Sequence, residues 1–336
     1  MRGNLDARTP LAPADPSTLY LEVTNRCNSL CTHCPRTYFP KPPHDLSLAQ
    51  IERLVEQLPG LRQAVLHGVG EPLLNPELPA IIRYLKGRGL RVLFNSNAIG
   101  LRPRLQEALV RSGLDEYRAS LDAATPGTYR VIRGVPCWTQ VVDNLAGLLA
   151  VRRRLHANTP KISVWFVVMR ENVDELPEFA RRAVEIGVDE AYAQRLVYFD
   201  AGLAVEQQSV YQRLTAEQER LLAEAAAICA AAGIPFRASG NTALAASLRG
   251  AGSDAHPWQV CQRPWTLAYV SAEGNVHPCC FVPFVEHNRE TTILGNVFEQ
   301  PLREIWNGTP YWAFRERFLS DQPVDCCKDC GSKWSL

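Results

Sequence analysis

Several things are scarce in this chain of 336 residues, and each shortage closes a class of function. No apolar run nears the ~20 residues a membrane helix needs. The strand-like run Val164–Met169 is short, and the Ala-rich stretch Leu221–Ile234 is broken by Glu224. Neither sign of charge is in excess, with Lys+Arg 36 against Asp+Glu 35, so no nucleic-acid or membrane-surface footprint is expected. Met1–Asp15 carries Pro10 and Pro13 and no apolar stretch, so no secretory signal is expected and the location reads as cytoplasmic. A hydrophobic content of 46% is enough for a packed core, which excludes a disordered scaffold.

Cysteine is what the chain has in quantity. Its eleven cysteines are clustered: Cys27, Cys31 and Cys34 near one end, and Cys261, Cys279, Cys280, Cys326, Cys327 and Cys330 near the other. Only Cys137 and Cys229 lie between, and both read as small buried hydrophobes. A reducing compartment keeps thiols free, so two separated thiol groups read as metal sites.

Between the two groups, strand and helix patterns alternate. Strands are predicted at Leu19–Val23, Ala64–His67, Leu90–Phe94, Glu116–Leu121, Lys161–Met169 and Glu190–Tyr198. Helices are predicted at Leu48–Leu58, Glu77–Lys86, Pro103–Arg111, Trp138–Leu155 and Glu175–Ile186. Gly89, Gly113 and Gly187 fall where a helix should stop. Six such units imply a parallel sheet but are too few for a closed eightfold barrel, so the expected fold is an α/β partial (β/α)6 TIM-like barrel. A further helix follows at Thr215–Ala232. The expected division is a lead over 1–18, the barrel over 19–240, a linker over 241–257 and a small cysteine-rich domain over 258–336. That last unit should hold a hairpin around Ala272-Glu273-Gly274 and short helices at Leu302–Trp306 and Trp312–Phe318.

Cys27-x3-Cys31-x2-Cys34 directly follows the first strand. Three thiolates in one loop can hold an iron–sulfur cluster while leaving one iron open for a small-molecule chelate; a zinc site completed by His33 is the competing reading. The loop, with His33 before its last cysteine, resembles the signature of the radical S-adenosylmethionine (SAM) enzymes. His67-Gly68-Val69-Gly70-Glu71-Pro72 stands where that family carries a Gly-Gly-Glu-Pro-like segment, with Val69 replacing one glycine. The resemblance implies that Gly68, Gly70, Glu71, Asn97, Ser120, Asp122 and Arg133 bind SAM, with Arg133 on its carboxylate; Asn172 and Gln194 are further candidates.

Cys261-x12-Gly274-x4-Cys279, followed by Cys327-x2-Cys330, is similar to the SPASM/twitch domain of many radical SAM enzymes. It implies an auxiliary [4Fe-4S] cluster on Cys261, Cys279, Cys327 and Cys330, with Cys280 and Cys326 as alternative ligands and a zinc ribbon as the competing reading. The family implies reductive cleavage of SAM to a 5'-deoxyadenosyl radical, fed by a flavodoxin or ferredoxin. The short lead before the first strand favours a small sugar- or aminocyclitol-like substrate undergoing dehydrogenation. Alternatives are an epimerase, with Cys137 as hydrogen donor, a maturase of a ribosomal peptide, or a non-catalytic iron–sulfur carrier. No nucleic-acid or membrane partner is expected.

Overall fold

The computed structural model describes residues 8–240, 243–249, 257–285, 292–328 and 330. Strands β1 (Thr18–Leu21), β2 (Gln63–Val65), β3 (Arg91–Ser96), β4 (Glu116–Ser120), β5 (Lys161–Val168) and β6 (Glu190–Arg195) lie side by side in chain order, all parallel. Helices Leu48–Val55, Leu78–Gly87, Pro103–Arg111, Trp138–Arg154 and Leu176–Ile186 connect them. The sheet is open, as a six-unit partial barrel requires.

Strand periodicity sorts the two faces. On β5, Ile162, Val164, Phe166 and Val168 are buried in the main core, and Phe166 meets Phe179 of the helix outside at 4.7 Å between ring centroids. Trp165 and Val167, on the alternate face, line the barrel interior. The helices stop where expected, Gly187 capping its helix at φ +79.

The sheet is longer than the periodicity predicts. β7 (Phe236–Ala238) adds to β6, and its three residues are too few to show a strand pattern. At the other edge, β8 (Leu267–Val270) pairs parallel with β1, and β9 (Val276–His277) pairs antiparallel with β8. The cysteine-rich region therefore continues the barrel sheet and covers the edge of β1, which would otherwise present unpaired backbone groups. The lead is anchored to the same region. Trp265 Nε1 donates to Thr9 O at 2.7 Å, Trp306 Nε1 to Ala14 O at 2.8 Å, and Ala12 and Asn307 exchange two hydrogen bonds.

Of the expected linker, residues 241–242 and 250–256 lie outside the described residues, while Leu244–Arg249 forms a helix. The helix Pro126–Arg133 was not expected; Thr125 caps its start and Gly134 its end. Among the described residues, no helix is long and apolar enough to cross a membrane.

Candidate functional site

The carboxyl ends of the strands open into one cavity, where parallel α/β barrels hold their chemistry. Cys27, Cys31 and Cys34 reach it from the loop after β1. That loop is clamped from several sides. Arg26 Nε donates to Asp45 at 3.0 Å, Thr32 N to Ile132 O at 2.9 Å, and Leu203 N to Thr32 O at 2.7 Å. Gly134, at φ +70, lets the end of helix Pro126–Arg133 close against Leu30, whose carbonyl a Cβ would strike. Burial pushes the Cys27 thiol up and the Cys34 thiol to about 12, so a metal must displace protons to be held here.

The Gly68–Glu71 segment lies beneath this loop. A Cβ on Gly68 would collide with the Glu22 side chain, and one on Gly70 with the Thr24 carbonyl. The glycines thus serve close packing of the chain on itself. Glu22, which no sequence signal singled out, accepts from Val69 N at 2.7 Å and from Ala272 N at 3.0 Å, tying β1 to both neighbours. Glu71 is likewise occupied: Oε1 accepts from Ser96 Oγ at 2.7 Å and Leu73 N at 3.1 Å, and Oε2 from Asn97 N at 2.6 Å. Burial raises its pKa against those bonds. Asn97 in turn donates through Nδ2 to Asn28 at 2.8 Å and lies 3.6 Å from Cys27 Sγ.

Asp122 and Arg133, expected to face a ligand separately, are paired with each other at 2.7 Å. Asp122 Oδ1 accepts from Val167 N, and its Oδ2 lies 3.6 Å from His33 Nε2. Burial opposes the Arg133 charge, but Cys31 and Asp122 outweigh it and hold the guanidinium protonated. Two buried atoms here, Arg133 Nε and His33 Nδ1, have no hydrogen-bond partner among the described residues. An unpaired buried polar group costs about 1–3 kcal/mol, so this wall suits a polar ligand. Asn172 supports the turn by donating to Asp122 O and Val167 O. Ser120, Asn95 and Gln194 line the cavity and spend no side-chain hydrogen bond on the described protein.

A second, smaller cavity is lined by Cys261, Cys279, Cys326, Cys327 and Cys330, with Arg263 among them. Cys280 lines the main cavity instead, beside Phe281 and Phe284, in a packed cluster that also touches Cys279 and Cys330. Cys137 borders neither cavity; it precedes helix Trp138–Arg154 and packs against the core, as does Cys229. Among the described residues, no three His, Cys, Asp or Glu side chains converge on a point that one metal ion could fill. The three thiols of the first set share one cavity with a polar wall, a donor set that fits an iron–sulfur cluster with one iron left open, and the second set lines a cavity of its own.

His67 stacks on Phe284 with ring centroids 5.8 Å apart. Burial, helped by the Arg118 charge, pushes it down to about 4 from 6.5. Between those values the unfolded chain binds a proton that the folded chain does not, so stability falls as pH drops from 6.5 toward 4. Thermal unfolding at pH 7 and pH 5 should show that loss in the wild type and a smaller one in His67→Phe; equal losses would place the acid sensitivity elsewhere.

Residues 21–183 match the Radical SAM superfamily, and residues 261–331 match SPASM, an iron-sulfur cluster-binding domain. A tungsten-containing aldehyde ferredoxin oxidoreductase cofactor-modifying protein of Pyrococcus furiosus is 28% identical over 53% of this chain; the match spans about half of that relative, 51%. The mycofactocin maturase MftC of Mycobacterium ulcerans is 27% identical over 94% of this chain and 80% of its own. The PqqA peptide cyclase of Gluconobacter oxydans is 26% identical over 96% and 85%. Among solved structures, Streptococcus suis SuiB bound to its precursor peptide SuiA superposes with a TM-score of 0.68 over 95% of this chain and 70% of that one, at 14% identity, a likeness of fold.

Proposed function

The chain belongs to the radical SAM superfamily and carries a C-terminal SPASM-type iron–sulfur domain, and from that premise we propose that it is a maturase acting on a ribosomally made peptide. One observation carries the reading: its similarity to a maturase and to a peptide cyclase runs through both domains, over 94% and 96% of the chain. This favours a peptide over the sugar or aminocyclitol suggested by the short lead, since a peptide can be brought by a separate carrier.

In this reading Cys27, Cys31 and Cys34 hold the cluster that binds SAM, and Cys261, Cys279, Cys327 and Cys330 hold the auxiliary cluster. When bound, the cluster and SAM supply a 5'-deoxyadenosyl radical able to abstract hydrogen from an unactivated C–H bond, given a donor such as flavodoxin or ferredoxin. The protein's part is placement and exclusion of water. Arg133 and His33 would hold the polar end of SAM through their unpartnered nitrogens, with Ser120 and Asn97 as further contacts. Glu71 and Asp122 act through others: Glu71 holds Asn97 and Ser96, and Asp122 holds Arg133. Phe281 and Phe284 bring an apolar wall from the C-terminal domain to the same cavity, which would keep water from a radical formed there.

The test is to incubate the reconstituted enzyme with short peptides encoded beside its gene. A change that requires SAM is expected; a peptide lighter by two hydrogens marks oxidation, and a peptide that keeps its hydrogen count and gains one deuterium from deuterated water marks epimerisation. Unmodified peptides alongside SAM-dependent conversion of an aminocyclitol would overturn the peptide reading.

A further inference from the structure

Below the SAM wall, the barrel floor carries a guanidinium to which no role has been given. Arg118 lies on the inner face of β4, two residues before Ser120, and lines the main cavity. Its position is set on two sides. The guanidinium carbon sits 4.7 Å from the centroid of Trp165, which is itself stacked on Tyr192 at 3.9 Å and 18°. Its Nε donates to Glu116 Oε1 at 2.9 Å and its Nη2 to Oε2 at 3.3 Å.

Two features keep this arginine available. Glu116 also accepts from Arg91 Nη2 at 2.8 Å, so one carboxylate is shared by two guanidiniums and positive charge remains over. The Arg118 Nη1 edge makes no hydrogen bond to the described protein. Asn95 is the register partner of Arg118 on β3, and neither its amide nor the Ser120 hydroxyl spends a hydrogen bond on the described protein. Unspent donors on adjacent strands, beside surplus positive charge and a flat aromatic face, suit a planar anion.

We propose that Arg118, with Asn95 and Ser120, forms a carboxylate-binding subsite on the cavity floor that orients the substrate. The inference rests on reading this cavity as the substrate site. A peptide can present a carboxylate from its C-terminus or from an acidic side chain, and the chemistry recognised is the same.

The experiment uses the reconstituted holoenzyme with SAM and three probes followed by saturation-transfer NMR. N-acetylglycylglycine carries only a terminal carboxylate, its amide carries none, and N-acetylaspartic acid amide carries only a side-chain carboxylate. One or both carboxylate probes should bind saturably and the neutral amide at least tenfold more weakly; whichever binds tighter identifies the source. Arg118→Met should weaken that binding at least tenfold and Arg118→Lys by less. Glu116→Gln, by releasing the shared guanidinium, should tighten it, a gain that misfolding cannot imitate. Equal binding of the neutral amide, or binding unchanged in both Arg118→Met and Glu116→Gln, overturns the subsite. Peptide modification by Arg118→Met at wild-type KM would also overturn it while leaving the maturase reading intact.

Discussion

Replacing Cys27, Cys31 and Cys34 together with Ala is expected to lower bound iron from about eight atoms per chain to about four. The two thiol sets line separate cavities, so losing one should leave the other filled. The triple variant should lose all SAM cleavage, because four thiolates saturate the remaining cluster and no open iron is left. Single replacements in the second set sharpen the test. Cys279→Ala should lose auxiliary iron, whereas Cys280→Ala should keep it, since Cys280 faces the main cavity. Iron and zinc analysis after anaerobic purification reads all of these. Unchanged iron in the triple variant, or zinc in place of iron, would contradict the assignment.

The second large effect is expected at Glu71. Its carboxylate accepts from Ser96 Oγ, Leu73 N and Asn97 N, all buried. Glu71→Ala leaves three donors without an acceptor, a loss of about 3–5 kcal/mol in unfolding free energy. SAM affinity should fall at least tenfold as Asn97 and the Cys27 loop lose their support, with the auxiliary cluster retained. Denaturant unfolding and equilibrium SAM binding measure the two effects. Wild-type stability together with wild-type affinity would remove Glu71 from the site's framework.

Much of this was legible in the amino acids, and the failures have physical causes. The strand–helix units announce themselves because the helices bury an apolar stripe and the strands are short apolar or alternating runs between turn signals. The thiol sets are visible because nothing else explains their spacing. Three-residue β7 offers no period to read, and β8 joins β1 across a sequence separation that no local pattern encodes. Glu22 looks like any strand-end carboxylate, and only the fold shows it receiving two backbone amides from different elements. Glu71 and Asp122 were expected at this end of the barrel and line the cavity; that each also holds other side chains there, Glu71 that of Ser96 and Asp122 that of Arg133, is a pairing that spacing alone does not report. Cys279 and Cys280 are neighbours in sequence, yet the backbone sends them into different cavities.

One measurement bears most directly on the account. The anaerobically reconstituted chain, reduced and given SAM with a precursor peptide encoded beside its gene, should release 5'-deoxyadenosine and methionine together, at a rate the peptide increases. Two filled clusters with no 5'-deoxyadenosine, with or without peptide, would contradict a radical SAM maturase.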